Sequence, residues 1–168
     1  MSETIEPTVL GPDEDPAGTL ASSGARIMVR DNQTDGGFSL VEHRVPPKRL
    51  TSPVHRHARE DEYTVVQSGR VAALLGDRVV YAEAGAMIFK PRGQWHAVWN
   101  PDDREARFLE IITPGGLEGL FEQVPELQAD GGVPDTTALA ERYGIEFDLV
   151  ATAGLVHAHG VSFGPHSG

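Results

Sequence analysis

Among the side chains between residues 55 and 96 whose types can hold a metal ion are His55, His57, Glu62 and His96. His55-Arg56-His57 sets two imidazoles at i and i+2, which on a β-strand share one face about 6.7 Å apart, with Arg56 on the other face. Leaning together, the two rings can bring their nitrogens within ~2.0–2.2 Å of one shared ion. A short bend then returns a carboxylate beside the pair; Glu60, Asp61 and Glu62 all stand there, and Glu62 opens the next strand. His96 arrives several strands later, on a strand that carries Val98 and Asn100 on the same face. Three imidazoles and one carboxylate suit a borderline divalent ion such as Fe, Mn, Ni, Cu or Zn. Such a set leaves one or two coordination positions open, which an activating metal requires.

The rest of the composition narrows the chemistry. The 168 residues contain no cysteine, so thiolate metal sites, disulfides and cysteine nucleophiles are excluded. That fits a cytoplasmic protein. A formal net charge of −11 opposes binding to nucleic acid or to an anionic membrane surface. No run of transmembrane length is present. The first residues, Met-Ser-Glu-Thr-Ile-Glu, lack a basic segment followed by an apolar one, so no secretory signal is expected. At 39% hydrophobic and 23% charged, the chain reads as one ordinary folded domain.

Its 19 glycines and 12 prolines punctuate short apolar runs, the pattern of an all-β fold with many turns. Strands are expected over 25–30, 38–45, 54–57, 62–67, 71–75, 78–81, 86–90, 94–99 and 106–113. Gly76-Asp77 between two apolar runs predicts a two-residue hairpin. This many short strands make a sandwich or a barrel. After Pro114-Gly115-Gly116 the period changes: Leu117, Leu120, Phe121 and Val124 mark one face of a helix, ended by Pro125. Residues 128–134 read as a linker, and a second helix opens on Asp135 as N-cap and closes at Gly144. Residues 145–150 fit a strand or an extended arm. The tail beyond reads as weakly structured, and its His157-Ala158-His159 is taken as an incidental copy of the metal-type pair. The expected organisation is a flexible acidic arm over 1–20, a β-barrel over 21–114 and a C-terminal helical extension with tail over 115–168.

The spacing resembles that of the cupin superfamily, whose two motifs are G-x5-HxH-x3,4-E-x6-G and G-x5-P-x-G-x2-H-x3-N. His55, His57, Glu62 and Gly69 match the first, and Gly85, Pro91, Gly93, His96 and Asn100 match the second. The Gly69 spacing selects Glu62 over Glu60, which with Asp61 then reads as a solvated acidic bend. One departure stands at Arg49, where the first motif opens on glycine, so that turn must be built differently, with Pro46, Pro47 and Pro53. The resemblance covers roughly residues 38–113. It implies an antiparallel double-stranded β-helix, a jelly-roll barrel with one or two C-terminal helices, and a single metal held by His55, His57, Glu62 and His96. Quercetinase-like small cupins imply a dioxygenase acting on an enol, flavonol or diketone, with Glu62 doubling as general base. A metal-dependent isomerase, lyase or decarboxylase without O2 is the alternative, and a non-catalytic binding module the third. The expected partner is a small-molecule substrate, with the chain as a homodimer.

Further positions carry their own expectations. Asn100 lies about 13 Å along the strand from His96, too far to share the ion, and with Pro101 following it reads as a turn initiator. Ile88, Phe89 and Val98 are candidates for the barrel lining. His43 is expected outside the ligand set, and Glu110 at a salt-bridged or edge position. Trp95 and Trp99 fall opposite His96, so they should be covered by the 117–124 helix, the N-terminal strands or a second subunit.

Overall fold

From Ala106 to Thr113 every second side chain is buried, Ala106, Phe108, Glu110 and Ile112 facing in and Arg107, Leu109, Ile111 and Thr113 facing out. The same two-residue beat runs through Asp61–Ser68, where Glu62, Thr64 and Val66 face in. A strand buried on one face only must lie against a second layer. In a computed structural model, which describes residues 5–129 and 136–163, that layer is a second sheet.

The strands are β1 (Ala25–Val29), β2 (Ser39–Val45), β3 (Val54–His57), β4 (Asp61–Ser68), β5 (Arg70–Leu75), β6 (Arg78–Glu83), β7 (Met87–Lys90), β8 (His96–Trp99), β9 (Ala106–Thr113) and β10 (Ile145–Asp148). The helices are α1 (Leu20–Ser23), α2 (Glu118–Ala129), α3 (Thr136–Tyr143) and α4 (Leu149–His159). One sheet runs β1-β2-β9-β4-β7 and the other β10-β3-β8-β5-β6, with all pairings antiparallel. Gly76, at φ 65°, turns β5 into β6 as expected. Val45, Val66, Val71, Val98 and Phe108 form a core cluster between the sheets. A second cluster packs Leu117, Leu120 and Phe121 around α2, Leu139 and Tyr143 of α3, and Ile145 and Phe147 of β10 against Val41 and Ile112.

The C-terminal third departs from the sequence expectation in two places and decides between the two forms expected at a third. The helix begun at Glu118 continues through Pro125 to Ala129, forgoing the one hydrogen bond that proline cannot donate. Residues 145–148 are a strand, paired with the metal-type strand in the register Ile145↔His57 and Phe147↔His55. The supposed weak tail is a helix, α4, capped by Asp148, whose Oδ1 accepts from Ala151 N at 2.8 Å. α4, an element not among those expected, covers this face: Trp99 is buried in one cluster with Leu155, half-buried Trp95 and Val156 pack against the same cluster, and the His159 ring lies 4.7 Å from that of Trp99. His157 and His159 are two positions apart on this helix and so diverge by about 200°, which removes them as a metal pair. Gly144, at φ 65°, closes α3 as expected; Asp135, most of the linker and residues 164–168 lie outside the described residues.

Two scaffold features hold the metal-bearing strands. The turn lacking the motif glycine is made by Lys48 at φ 53°, with Lys48 N donating to Asp102 O and Ser162 N to Lys48 O. Asn100 is fully buried and staples the same region: Nδ2 donates to Val45 O (2.9 Å) and Arg104 O (2.6 Å), and Oδ1 accepts from Asp102 N (2.9 Å). Its role is structural, as its spacing implied. Asn100→Ala would leave these backbone groups unpaired in the interior and is expected to cost about 2–3 kcal/mol. A lowered urea midpoint with unchanged slope would register the loss, and an unchanged midpoint would contradict it.

Candidate metal centre

β3 and β8 pair with His55 directly opposite His96. The ring centroids stand 4.3 Å apart, with His57 at 4.8 Å from His55 and 5.3 Å from His96. Glu62 opens β4 from the facing sheet, its Oε1 3.3 Å from His57 Nε2 and its Oε2 3.0 Å from His96 Nε2. All four side chains are at most 9% exposed, and one ligand atom from each lies within 4.8 Å of every other. The four residues expected to form the site are thus brought together.

Two of the three imidazoles are oriented by the backbone two residues before them. His55 Nδ1 is 2.7 Å from Pro53 O, and His96 Nδ1 is 2.9 Å from Gln94 O. A carbonyl can only accept, so each Nδ1 carries the proton and each Nε2 presents a lone pair. His96 Nε2 then meets a Glu62 oxygen lone pair to lone pair at 3.0 Å, within hydrogen-bond distance but with no proton to share. Accordingly, His57 Nε2 and His96 Nε2 are buried and without a hydrogen-bond partner. Such a contact is repulsive unless a cation lies between. Ligands held ~2.1 Å from a common ion are themselves about 3.0–3.5 Å apart, and the 3.0 and 3.3 Å separations agree with that. The residues fit one divalent transition ion.

Electrostatics keep the donors in their binding forms. Burial, reinforced by the neighbouring imidazoles, holds His55 well below its ordinary pKa; burial also lowers His96, against the opposing pull of Glu62. Burial would raise Glu62, but Lys90 and His57 outweigh it and hold the carboxyl well below the usual range. His55 and His96 therefore stay neutral to lower pH than the ~6.5 of free imidazole suggests, and Glu62 stays ionised. Metal occupancy is expected to hold at pH 6 and to fall only in more acid buffer, as protons reach the rings. Dialysis against buffers of decreasing pH, with metal counted in the retained protein, would show this; loss complete at pH 6 would contradict it.

Glu60, read from sequence as a solvated bend, is buried at 6% exposure. Its Oε2 lies 3.8 Å from His57 Nδ1, and neither atom has a hydrogen-bond partner. His57 lacks the carbonyl anchor of its two fellows, and Glu60 stands where that anchor would be. Glu60→Ala is expected to weaken metal affinity by about 10–100-fold. Competition with a chelator would measure it, and an unchanged affinity would show that Glu60 plays no part. Asp61, by contrast, meets solvent and pairs with Arg92 at 3.0 Å.

Lys90 is the residue the sequence reading missed. It pairs in register with Glu62 across β7 and β4, is 3% exposed, and sets Nζ 2.9 Å from both Glu62 Oε2 and Glu110 Oε1. Thr64 Oγ1 donates to Glu110 at 3.0 Å. Glu110 is thus salt-bridged, as expected, and also faces the cavity. Burial and the Glu62 charge push its carboxyl up to about 7 despite Lys90. Burial would lower Lys90, but Glu110 and Glu62 raise it.

Above the four ligands is a cavity of about 80 Å³, walled by Val98, Phe108 and His43 and covered by Leu117, by Leu120 and Phe121 of α2, and by Ile145 and Phe147 of β10. His43 stacks on Phe108 at 4.8 Å; burial lowers its pKa to about 4, so it is a neutral wall residue outside the ligand set, as expected. Of the expected lining, Val98 is present and Ile88 lies in the core behind it. Phe89 is on the outer face, stacked on Tyr63, because adjacent strand residues cannot both point inward. A larger hollow of about 660 Å³ between α2 and α3 contains none of the four ligands.

Residues 41–112 match a family model described as a cupin domain. No curated protein matches the chain. Among solved structures, a predicted oxalate decarboxylase from Thermotoga maritima is 19% identical, with a TM-score of 0.51 over 54% of this chain and 78% of that one. An uncharacterized conserved protein with a double-stranded β-helix domain from Klebsiella pneumoniae is 20% identical, with a TM-score of 0.48 over 54% and 76%. A sugar phosphate isomerase from a cupin superfamily, from Silicibacter pomeroyi, is 23% identical, with a TM-score of 0.48 over 56% and 62%. At these identities the likeness is one of fold.

Proposed function

We propose, on the premise that the barrel is a cupin domain, that the protein is a metal-dependent dioxygenase acting on a small enol or 1,3-diketone. The observation that carries this reading is the placement of three histidines and a glutamate at the floor of a small, largely apolar cavity of about 80 Å³. That volume is far below the ~300–1,000 Å³ of sites for drug-sized ligands, which favours an enol or diketone of a few heavy atoms over a flavonol. The walls carry no arginine, which speaks against a phosphorylated sugar.

His55, His57, Glu62 and His96 would hold the ion. When bound, it would supply Lewis acidity toward the substrate's oxygens and, if redox-active, electron transfer toward O2. The apolar cover from α2 and β10 excludes water from the reacting atoms. Glu62 is the proposed acceptor of the substrate's proton. Lys90 lowers its basicity, but Glu110, one lysine away and pushed up to about 7, provides a second place for that proton near neutral pH. The same Lys90–Glu110 pair favours a second reading, a metal-dependent isomerase or lyase that moves protons without O2. The lack of cysteine supports a cytoplasmic setting, and the net charge of −11 supports a small-molecule partner over nucleic acid or membrane.

The test is elemental analysis followed by O2 uptake against a panel of small enols and 1,3-diketones. Iron, copper, nickel or manganese with substrate-dependent uptake supports the dioxygenase. Zinc without uptake, but with deuterium exchange at the substrate carbon in D2O, would replace it with the second reading. Neither uptake nor exchange would refute both and leave a binding module.

A further inference from the structure

The larger hollow between α2 and α3 holds none of the four metal ligands, yet at about 660 Å³ it lies within the ~300–1,000 Å³ of sites for organic ligands. Glycine keeps it open. Gly119, in the first turn of α2, lines it, and a Cβ there would stand 3.3 Å from the Tyr143 hydroxyl. Tyr143, on α3, is 7% exposed. Its hydroxyl accepts from Gln123 Nε2, and among the described residues no acceptor takes the hydroxyl's own proton. A buried donor without an acceptor is a vacancy that a ligand can fill.

The charges around the hollow select the ligand. Of the four charged side chains that line it, three are balanced. Glu122 is held by Arg30, Nη2 to Oε1 at 2.6 Å, and Arg59 stands 3.7 Å from Glu60. The fourth, Arg142, has no carboxylate partner among the described residues; its guanidinium lies over the Tyr143 ring, 5.4 Å from the centroid. Arg59 Nη2 donates to the Arg142 carbonyl at 3.1 Å, which ties this part of α3 to the β3–β4 bend. One unbalanced guanidinium beside one free hydroxyl donor is the complement of a single negative charge. We propose that the hollow is a second ligand site, which binds a small organic monocarboxylate. Arg142 and Tyr143 take the carboxylate, and Pro114 with the Tyr143 ring takes the apolar body. A phosphate dianion fits less well, because the carboxylates of Glu60 and Glu122 line the same space. The inference is independent of the reaction proposed above.

The zinc-loaded full chain, titrated with butyrate and with benzoate and followed by amide NMR, should show saturable shifts at Gly115, Gly116, Gly119 and Tyr143. Benzamide, which has the shape of benzoate without its charge, should bind about ten-fold more weakly or worse. Arg142→Gln should weaken benzoate binding by about ten-fold or more, and Tyr143→Phe by about three-fold. Arg142 is exposed, so its variant should keep the wild-type circular dichroism spectrum. Arg78→Gln, at an exposed position on β6, should bind benzoate as the wild type does. Four results would overturn the inference: no saturable shift with either carboxylate, benzamide binding equal to benzoate, benzoate binding unchanged in Arg142→Gln, or shifts confined to His55, His57 and His96, which would put the carboxylate on the zinc. Inorganic phosphate binding more tightly than benzoate would overturn the ligand class.

Discussion

Replacing Lys90 with methionine is expected to lower the free energy of unfolding by about 3–5 kcal/mol. The ammonium group lies between two buried carboxylates, 2.9 Å from each, and in the metal-free protein its removal leaves both without their lysine partner. The loss should depend on pH in a defined direction. Without Lys90, the Glu110 carboxyl, already raised by burial and the Glu62 charge, loses the one neighbour that lowers it by charge, so the native state holds a proton that the unfolded chain releases. Stability is then retained below about pH 4.5 and declines as pH rises toward 7 and beyond. Wild-type Glu110, already raised to about 7, contributes the same slope more weakly. Lys90→Met with Glu110→Gln should recover most of the loss, because one of the two carboxylates is gone. Urea midpoints of the two variants across pH 5–8 would measure this. Equal midpoints for wild type and Lys90→Met would mean that the triad carries no stability.

The second large effect falls on metal affinity. His96→Ala removes a nitrogen whose lone pair is already aimed by Gln94 O, and it leaves Glu62 Oε2 facing an empty space. Losing a supporting partner costs ~10–100-fold in affinity, and losing the ligand itself is expected to exceed ~10³-fold. Activity should fall with occupancy. Titration of the metal-free variant, compared with wild type, gives the ratio; an affinity within ten-fold of wild type would remove His96 from the site.

How far each feature could be read in the chain depends on how local its cause is. His55 and His57 share a face because they are two residues apart on one strand, and Glu62 follows across a short bend, so these three were legible from spacing alone. Asn100 was assigned to the scaffold by distance along its own strand. Lys90 was not found because its inward direction depends on which of Ile88 and Phe89 faces the core. Its partners Glu62 and Glu110 come from two other strands whose register no local pattern reveals. Alternation held the missing signal: with Ile88 inward, Lys90 must be inward too. β10 pairs with β3 from some ninety residues away, so residues 145–148 remained ambiguous. α4 escaped because Leu149-Val150-Ala151-Thr152-Ala153-Gly154-Leu155-Val156 is apolar on every side and lacks the single-faced period of a surface helix. Once that helix was unseen, neither the cover over Trp99 nor the divergence of His157 from His159 could follow.

The central claim is that His55, His57, Glu62 and His96 hold one metal ion. It is tested most directly by counting metal in the purified full chain and in His57→Ala. The account predicts about one divalent transition ion per chain in the wild type and none in the variant. Full occupancy retained in His57→Ala would contradict it, because the ion would then be held elsewhere.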